Sequence, residues 1–413
     1  MAPLPFPAHT LALVAIPADR RPRPCPLEGP FAPNTALRSA TRLFEGHIQG
    51  SESLSVGPDG KLWLLDKFGY VRLASPSPGA PGGFALDPEP LAYVGPGRPL
   101  GFHHDASGNL VICDSKGLML LERTDAAPTN GCGSSSSPRS GRWRLRCLAN
   151  WAEGQPINYA NDLDIAADGR IYFTDSTVIP PALNEASPKP WYDTMRSYML
   201  TMLHGAPTGR LLVHNPADGS TRQLADGLWF ANGCALAHDE SFVAVVETCS
   251  MRVRWHWLTG PKAGTLDTLI DRLPGWPDNI NRSSDGNFWL ALVLPDAPLA
   301  HKILPHPRLR ALYASLPEWL LPKKPQWGCV VKVSPSGEVL QVLMDPTGER
   351  VSHVSCATEH GGRLLLGNLA KDYVTMGAAL NACVMEQKQG SADRRGKGNE
   401  EGLGNRKAGS TEV

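Results

Sequence analysis

With 413 residues, 40 Lys or Arg against 40 Asp or Glu, and a pI near 7.2, the chain has no overall charge that would draw it to nucleic acid or to an anionic surface. A small-molecule partner is therefore the expectation. The 41 glycines and 38 prolines suit many short strands joined by turns rather than long helices. Nine cysteines include no CxxC pair and no His/Cys cluster, which argues against zinc, and the odd count argues against a complete disulfide framework. Cys132 and Cys147 flank a loop and could pair in an oxidising compartment; buried free thiols are the other reading.

In chain order, the Pro-rich residues 1–33 read as an extended N-terminal arm. Within it Leu11 to Ala18 is mildly apolar, but it has no basic start and runs into Arg20, Arg21 and Arg23, a poor secretory signal. No apolar run is long enough to span a bilayer as a helix, so the compartment stays open.

Residues 34–385 then repeat one phrase: apolar alternation, a turn centred on Asp-Gly or its like, and a β-rich strand. The six copies are Ser53 to Asp66, Gly101 to Asp114, Asp162 to Asp175, Gly233 to Glu247, Asn279 to Leu292 and Ser355 to Asn368. Further strand candidates, such as Tyr70 to Ala74, Gly209 to Asn215, Val253 to Leu258 and Cys329 to Ser334, give each unit enough strands for a four-stranded blade. The pattern predicts an all-β, six-bladed β-propeller. Two insertions interrupt it, expected at the channel mouth. Thr177 to Pro207 carries a helix-like run from Trp191 to His204, and residues 295–326 carry apolar positions among Lys302, Arg308, Arg310, Lys323 and Lys324. Both read as rim packing, as a lid, or, for the second, as a peripheral membrane contact. Residues 386–413 are polar and charged without an apolar face and are expected to be disordered; their final Thr411, Glu412 and Val413 fit a carboxylate-binding pocket only by a short pattern.

The repeat locates candidate chemistry. Seven positions before the turn stand Glu52, Leu100, Asn161, Asn232, Asp278 and Val354, each at the start of an inner strand. In a propeller these starts converge at one end of the channel, so two carboxylates and two amides meet there. Such an oxygen-only set suits a hard cation such as calcium, with Asn279 and Asp162 as extra contacts. Fourteen positions further on, Asp66, Asp114, Asp175 and Asn368, with Glu247 one step out of register, read as turn formers at the end of the second strand, away from the hub. Of His103 and His104 at most one can face the axis, and His353 is the better candidate at the mouth. The triplet Asn281, Arg282, Ser283 matches a glycosylation acceptor but lies inside an expected inner strand.

Taken together, Leu27 to Asn34, Ala40 to Gly46, Gly97 to Phe102, Asn161 to Ser176, Thr208 to Leu212, Ala231 to Gly233 and Pro274 to Ile280 resemble the strictosidine synthase-like proteins. That group includes adipocyte plasma membrane-associated protein and is related to the paraoxonases. The resemblance implies a channel calcium on residues matching Glu52, Asn161, Asn232 and Asp278, with Asn279 alongside, and a secretory or endomembrane setting. It also implies that a strictosidine synthase would carry its catalytic glutamate at Ser355, four residues before the Glu359–His360 pair, and that a paraoxonase would carry a histidine at Leu100.

The leading expectation is a calcium-dependent hydrolase of esters or lactones, arylesterase-like, with Asp278 or Glu52 as nucleophile or base and His353 as a further catalytic candidate. The alternatives are a Pictet-Spengler carbon–nitrogen synthase, disfavoured by Ser355, and a non-catalytic propeller binding a partner or a membrane.

Overall fold

The computed structural model describes residues 16–124, 143–185 and 189–379. Cys132 and residues 386–413, and with them the expectations placed there, lie outside the described residues.

Six antiparallel sheets, each with a four-stranded path, form the blades of a β-propeller. Their first strands are Leu54–Val56, Pro99–His104, Ala160–Ile165, Ala231–Leu236, Gly275–Arg282 and Val354–His360. Those of blades 2 to 6 pack on one another in sequence around the axis, and that of blade 6 packs on that of blade 1. The second strands are buried on both faces, as Ile171–Asp175 shows at every position, because each blade is sandwiched between two others. Outermost strands such as Ser220–Leu228 alternate with solvent instead. Between blades 3 and 4, Tyr172, Leu211 and Val213 of one face meet Cys234, Leu236, Val243 and Val245 of the next in a dry layer. Inside the hairpins the expected turns are present: Gly169 takes φ 85°, a left-handed conformation glycine reaches without strain, and Asp168 accepts the Arg170 N–H at 3.0 Å.

The ring closes by a strand that the repeat does not contain. Thr41–Leu43 pairs antiparallel with Val374–Ala379, Thr41 opposite Met376, and becomes the outer strand of blade 6. The segment before it packs on the propeller over its described part. Ile16 and Phe31 are buried and the Cys25 N–H donates to the Arg272 carbonyl.

The first insertion forms a two-stranded ribbon, Ala182–Asn184 with Trp191–Asp193, followed by helix α1, Thr194–His204. The helix is shorter than its apolar spacing suggests, because the Asp193 carboxylate caps the Arg196 N–H at 2.9 Å and starts it there. Trp191 and Tyr192 belong to the ribbon. The second insertion carries helices α2, Pro298–Ile303, and α3, Pro307–Ser315. Among the described residues no helix is long and apolar enough to cross a membrane.

Candidate functional site

The first strands of blades 2 to 6 share an irregularity at their starts. In blade 3 the pairing Ala160 with Asp175 skips to Leu163 with Phe173, and in blade 4 Ala231 with Glu247 skips to Cys234 with Val245. Blades 2, 5 and 6 skip between Pro99 and Phe102, Pro277 and Ile280, and Val354 and Ala357. Each skip leaves two residues outside the ladder, and such a bulge redirects side chains. The freed pairs are Leu100–Gly101, Asn161–Asp162, Asn232–Gly233, Asp278–Asn279 and Ser355–Cys356. The register read from sequence therefore holds for blades 2 to 5 but is one residue early in blade 6, where Ser355 and not Val354 takes the hub position. In blade 1, Glu52 lies just before Leu54–Val56.

In blades 2 and 4 the second bulge residue is glycine, Gly101 and Gly233, because the neighbouring inner strand comes too close for a side chain. A Cβ on Gly233 would lie 2.5 Å from the Asn279 Cα and the Ile280 N, both backbone atoms. Gly233→Ala is expected to cost about 1–3 kcal/mol, read as a lower denaturation midpoint, because backbone must move to admit the methyl group.

The hub is a hydrogen-bonded constellation with its nitrogens committed and its oxygens free. The Asn161 amide donates to Ser176 Oγ at 3.0 Å, and Asn232 donates to Thr248 Oγ1 at 3.0 Å and to Asp278 Oδ1 at 2.7 Å. Asn279 donates to Glu52 Oε1 at 3.3 Å. This network assigns the amide orientation, with each carbonyl oxygen turned the other way. Glu52 Oε2, Asn161 Oδ1, Asn232 Oδ1, Asp278 Oδ2 and Asn279 Oδ1 are all buried and have no hydrogen-bond partner.

Electrostatics agree with the geometry. Burial pushes Glu52 up to about 7 against the opposing Arg98 charge, and burial followed by the Glu52 charge holds Asp278 well above the usual carboxylate range. Arg98 is only 1% exposed and donates to the carbonyls of Pro99 and Gly50 at 3.0 and 2.8 Å. One buried guanidinium beside two buried carboxylates leaves a place for further positive charge. Among the described residues no group of three His, Cys, Asp or Glu side chains forms a metal site. The hub instead offers two carboxylates and three amide carbonyls, all hard oxygens, and that donor set fits calcium better than zinc or copper.

Several contributors were not visible as site residues in the sequence. Ser176 and Thr248 orient the hub amides, and Ser115 Oγ accepts the Arg98 N–H at 3.0 Å. All three directly follow the repeated acid, so an acid–hydroxyl dipeptide at that register was the available signal. The acids themselves do satisfy backbone groups: Asp175 accepts from Asn158 and Tyr159, Glu247 from Trp229, Asp114 from Lys116 and Asp66 from Phe68 and Tyr70. Their expected position was wrong, however. A hairpin brings the end of its second strand back beside the start of its first, so Asp175 sits opposite Ala160 and next to the hub.

Above the hub is an apolar roof. Tyr159, Trp229, Phe230 and Leu100 pack with Tyr198 and Met202 of the first insertion, Ala300 and Leu304 of the second, and Ile16. The Tyr159 and Tyr198 rings stand edge-on to Phe230 at 5.4 and 5.2 Å. Burial raises both phenols well above their ordinary value, with the charge of Glu52 a further cause at Tyr159 and those of Cys249 and Asp278 at Tyr198. An open cleft of about 520 Å³ lined by Asp66, Phe68, Tyr70, Arg72 and Lys189 is separate from the hub residues.

His353 is 3% exposed with φ 54°, and its Nδ1 has no partner. Burial, then Lys371 and Lys324, push it down to about 4, so it is neutral at pH 7. His104 packs edge-on against Trp63 at 4.9 Å, while His103 lies near Asp164 and Arg282, so the two point apart. Asn281 donates to the Ala357 carbonyl at 3.2 Å between blades, which disfavours glycosylation there. Ser355 is fully buried and its Oγ donates to the Glu52 carbonyl at 2.7 Å.

Six blades around an axial cluster of oxygen donors define the class: a six-bladed β-propeller with a polar hub at one end of its channel. The sequence model of strictosidine synthase matches residues 161–261 and that of the strictosidine synthase-like N-terminal region matches 29–67. Adipocyte plasma membrane-associated protein of Bos taurus is 32% identical over 384 residues, covering 88% of this chain and 85% of that protein. Protein STRICTOSIDINE SYNTHASE-LIKE 3 of Arabidopsis thaliana is 31% identical over 365 residues, covering 82% and 85%. This chain belongs to the strictosidine synthase-like family that includes adipocyte plasma membrane-associated protein. A gluconolactonase from Xanthomonas campestris shares the fold, with a TM-score of 0.52 at 18% identity over 88% of this chain and 96% of that one.

Proposed function

We propose that this protein is a calcium-dependent hydrolase of lactones or esters, with Glu52, Asn161, Asn232, Asp278 and Asn279 holding the ion. The observation that carries this reading is the set of five buried, partnerless oxygens at one end of the channel, each opposite a nitrogen or oxygen already tied to the protein. Calcium, when bound, supplies Lewis-acid polarisation of a carbonyl and stabilisation of the oxyanion. Asp278 and Glu52 are the groups able to take a proton from water or to attack the carbonyl themselves, since burial raises the basicity of both. Asn232 holds Asp278 Oδ1 and thereby orients the carboxylate. His353, neutral at pH 7, is a further candidate base, and the aromatic roof excludes water. The lactonase named among the fold's relatives lends support at the level of architecture.

Metal analysis of the purified protein, combined with an ester and lactone screen with and without chelator, tests the reading. Bound calcium and chelator-sensitive turnover are expected; a metal-free protein, or turnover indifferent to chelator, would sink it. The closed roof favours a second reading, a non-catalytic propeller whose ion is structural, and calcium-dependent thermal stabilisation without turnover on any substrate would select it. A carbon–nitrogen synthase is disfavoured, because the Ser355 hydroxyl is committed to the Glu52 carbonyl and offers no carboxyl for proton transfer. Incubation with tryptamine and secologanin is expected to give no coupled product.

A further inference from the structure

The second insertion has two faces of different character. Its inner face builds the roof: Leu304 packs with Tyr159 and Phe230, and Arg310 is buried and donates to the Leu203 and His204 carbonyls at 2.8 and 3.1 Å, tying α3 to α1. Its outer face leaves large apolar side chains in water. Trp319 is 77% exposed, Leu312 59%, Leu320 50%, Leu309 46% and Leu299 44%. Leu309 and Leu312 are three residues apart on α3 and therefore share a face of it, while Arg310 and Ala314 take the buried side.

Charge separates this segment from the rest of the chain. The whole protein is neutral, yet residues 298–326 hold five Lys or Arg against one Glu. Lys302, Arg308 and Lys323 are exposed next to the apolar positions. A protein-binding patch is depleted in lysine at its centre, whereas leucines with a tryptophan flanked by lysine and arginine match the layered chemistry of a lipid interface. We propose that the outer face of residues 298–326 docks the propeller on an anionic lipid bilayer, with the leucines and Trp319 in the headgroup boundary and the basic residues against lipid phosphates and carboxylates. Because the inner face of the same insertion covers the hub, docking turns the channel mouth toward the bilayer. The surface does not depend on whether the hub is catalytic.

The test uses the full chain and sedimentation with phosphatidylcholine vesicles, with and without phosphatidylserine, at low and high salt. Binding to the phosphatidylserine vesicles is expected, weakening with salt. The combined variant Lys302→Glu, Arg308→Glu, Lys323→Glu is expected to lower partitioning on the order of a hundredfold or more. Leu312→Ser with Trp319→Ser is expected to lower it on both vesicle types, with an unchanged melting midpoint because both side chains are exposed. Equal binding by wild type and variants would place the contact elsewhere and overturn the proposal. So would indifference of the wild type to phosphatidylserine, or self-association that Leu312→Ser with Trp319→Ser abolishes in the absence of any vesicle binding.

Discussion

Asp278→Ala is expected to lower calcium affinity by more than about 100-fold, since even residues that only orient a ligand are worth about 10–100-fold. The change removes a charged oxygen donor and, through the 2.7 Å contact, the partner that holds the Asn232 amide. Asn161→Ala removes a neutral donor and should weaken binding less. In wild type, calcium at 100 times its dissociation constant stabilises the fold by about 2.7 kcal/mol, and in Asp278→Ala that thermal shift should vanish. The ion-free variant is nevertheless expected to fold. Asp278 lies near the charges of Glu52 and Asp162, so its removal relieves repulsion when no ion is bound. Loss of the calcium shift with a retained ion-free melting transition therefore separates a ligand from a structural residue. If Asp278→Ala and Asn161→Ala both kept the wild-type calcium response, the hub would not be the binding site.

The largest stability effect is expected beside the hub, at Arg210. Its Nη2 lies 2.6 Å from Asp175 Oδ2 and 2.8 Å from the Pro156 carbonyl, and the two side chains are 7% and 3% exposed. The other carboxylate oxygen, Asp175 Oδ1, accepts the Tyr159 and Asn158 N–H groups at 2.9 and 3.2 Å, just before the bulge that presents Asn161. Arg210→Ala strands a buried carboxylate and should cost about 3–5 kcal/mol. Burial raises the Asp175 carboxyl above its ordinary value even with Arg210 opposing, and without Arg210 it rises further. A carboxyl raised in the folded state takes up its proton before the unfolded chain does. The variant's penalty should therefore be greatest at neutral pH and shrink as pH falls through the folded value, a trend that denaturant titrations at several pH values can read. A defect of the same size at every pH would show that lost packing, not a stranded charge, is responsible.

These variants probe different levels of the same architecture. Arg210 supports the strand start through Asp175 and Tyr159, whereas Asp278 belongs to the cluster the strand starts create. Between them stand Ser176 and Thr248, which hold the amides in the orientation that frees their oxygens. The same two hydroxyls thereby fix which atoms the hub presents to the channel.

Much of this protein was readable from local pattern. The Asp-Gly turns with β-rich flanks repeat because each hairpin obeys the same short-range rules, and six of them imply six blades. The shared distance from the turn picked out Glu52, Asn161, Asn232 and Asp278, since side-chain direction along a strand is set by counting. Counting failed where partners distant in sequence decide the geometry. In blade 6 the bulge shifts the hub position from Val354 to Ser355, and in blades 2, 3 and 4 the repeated acid returns beside the strand start because pairing is antiparallel. The closing strand Thr41–Leu43 has no local mark of its pairing with Val374–Ala379, more than 300 residues away. Arg98 next to Glu52, and the roof in which Ile16, Tyr198 and Leu304 meet over the channel, likewise arise only from packing. Period and turn chemistry are properties of neighbouring residues and are written in the chain; register, closure and burial are properties of surfaces in contact, and only the assembled propeller brings those surfaces together.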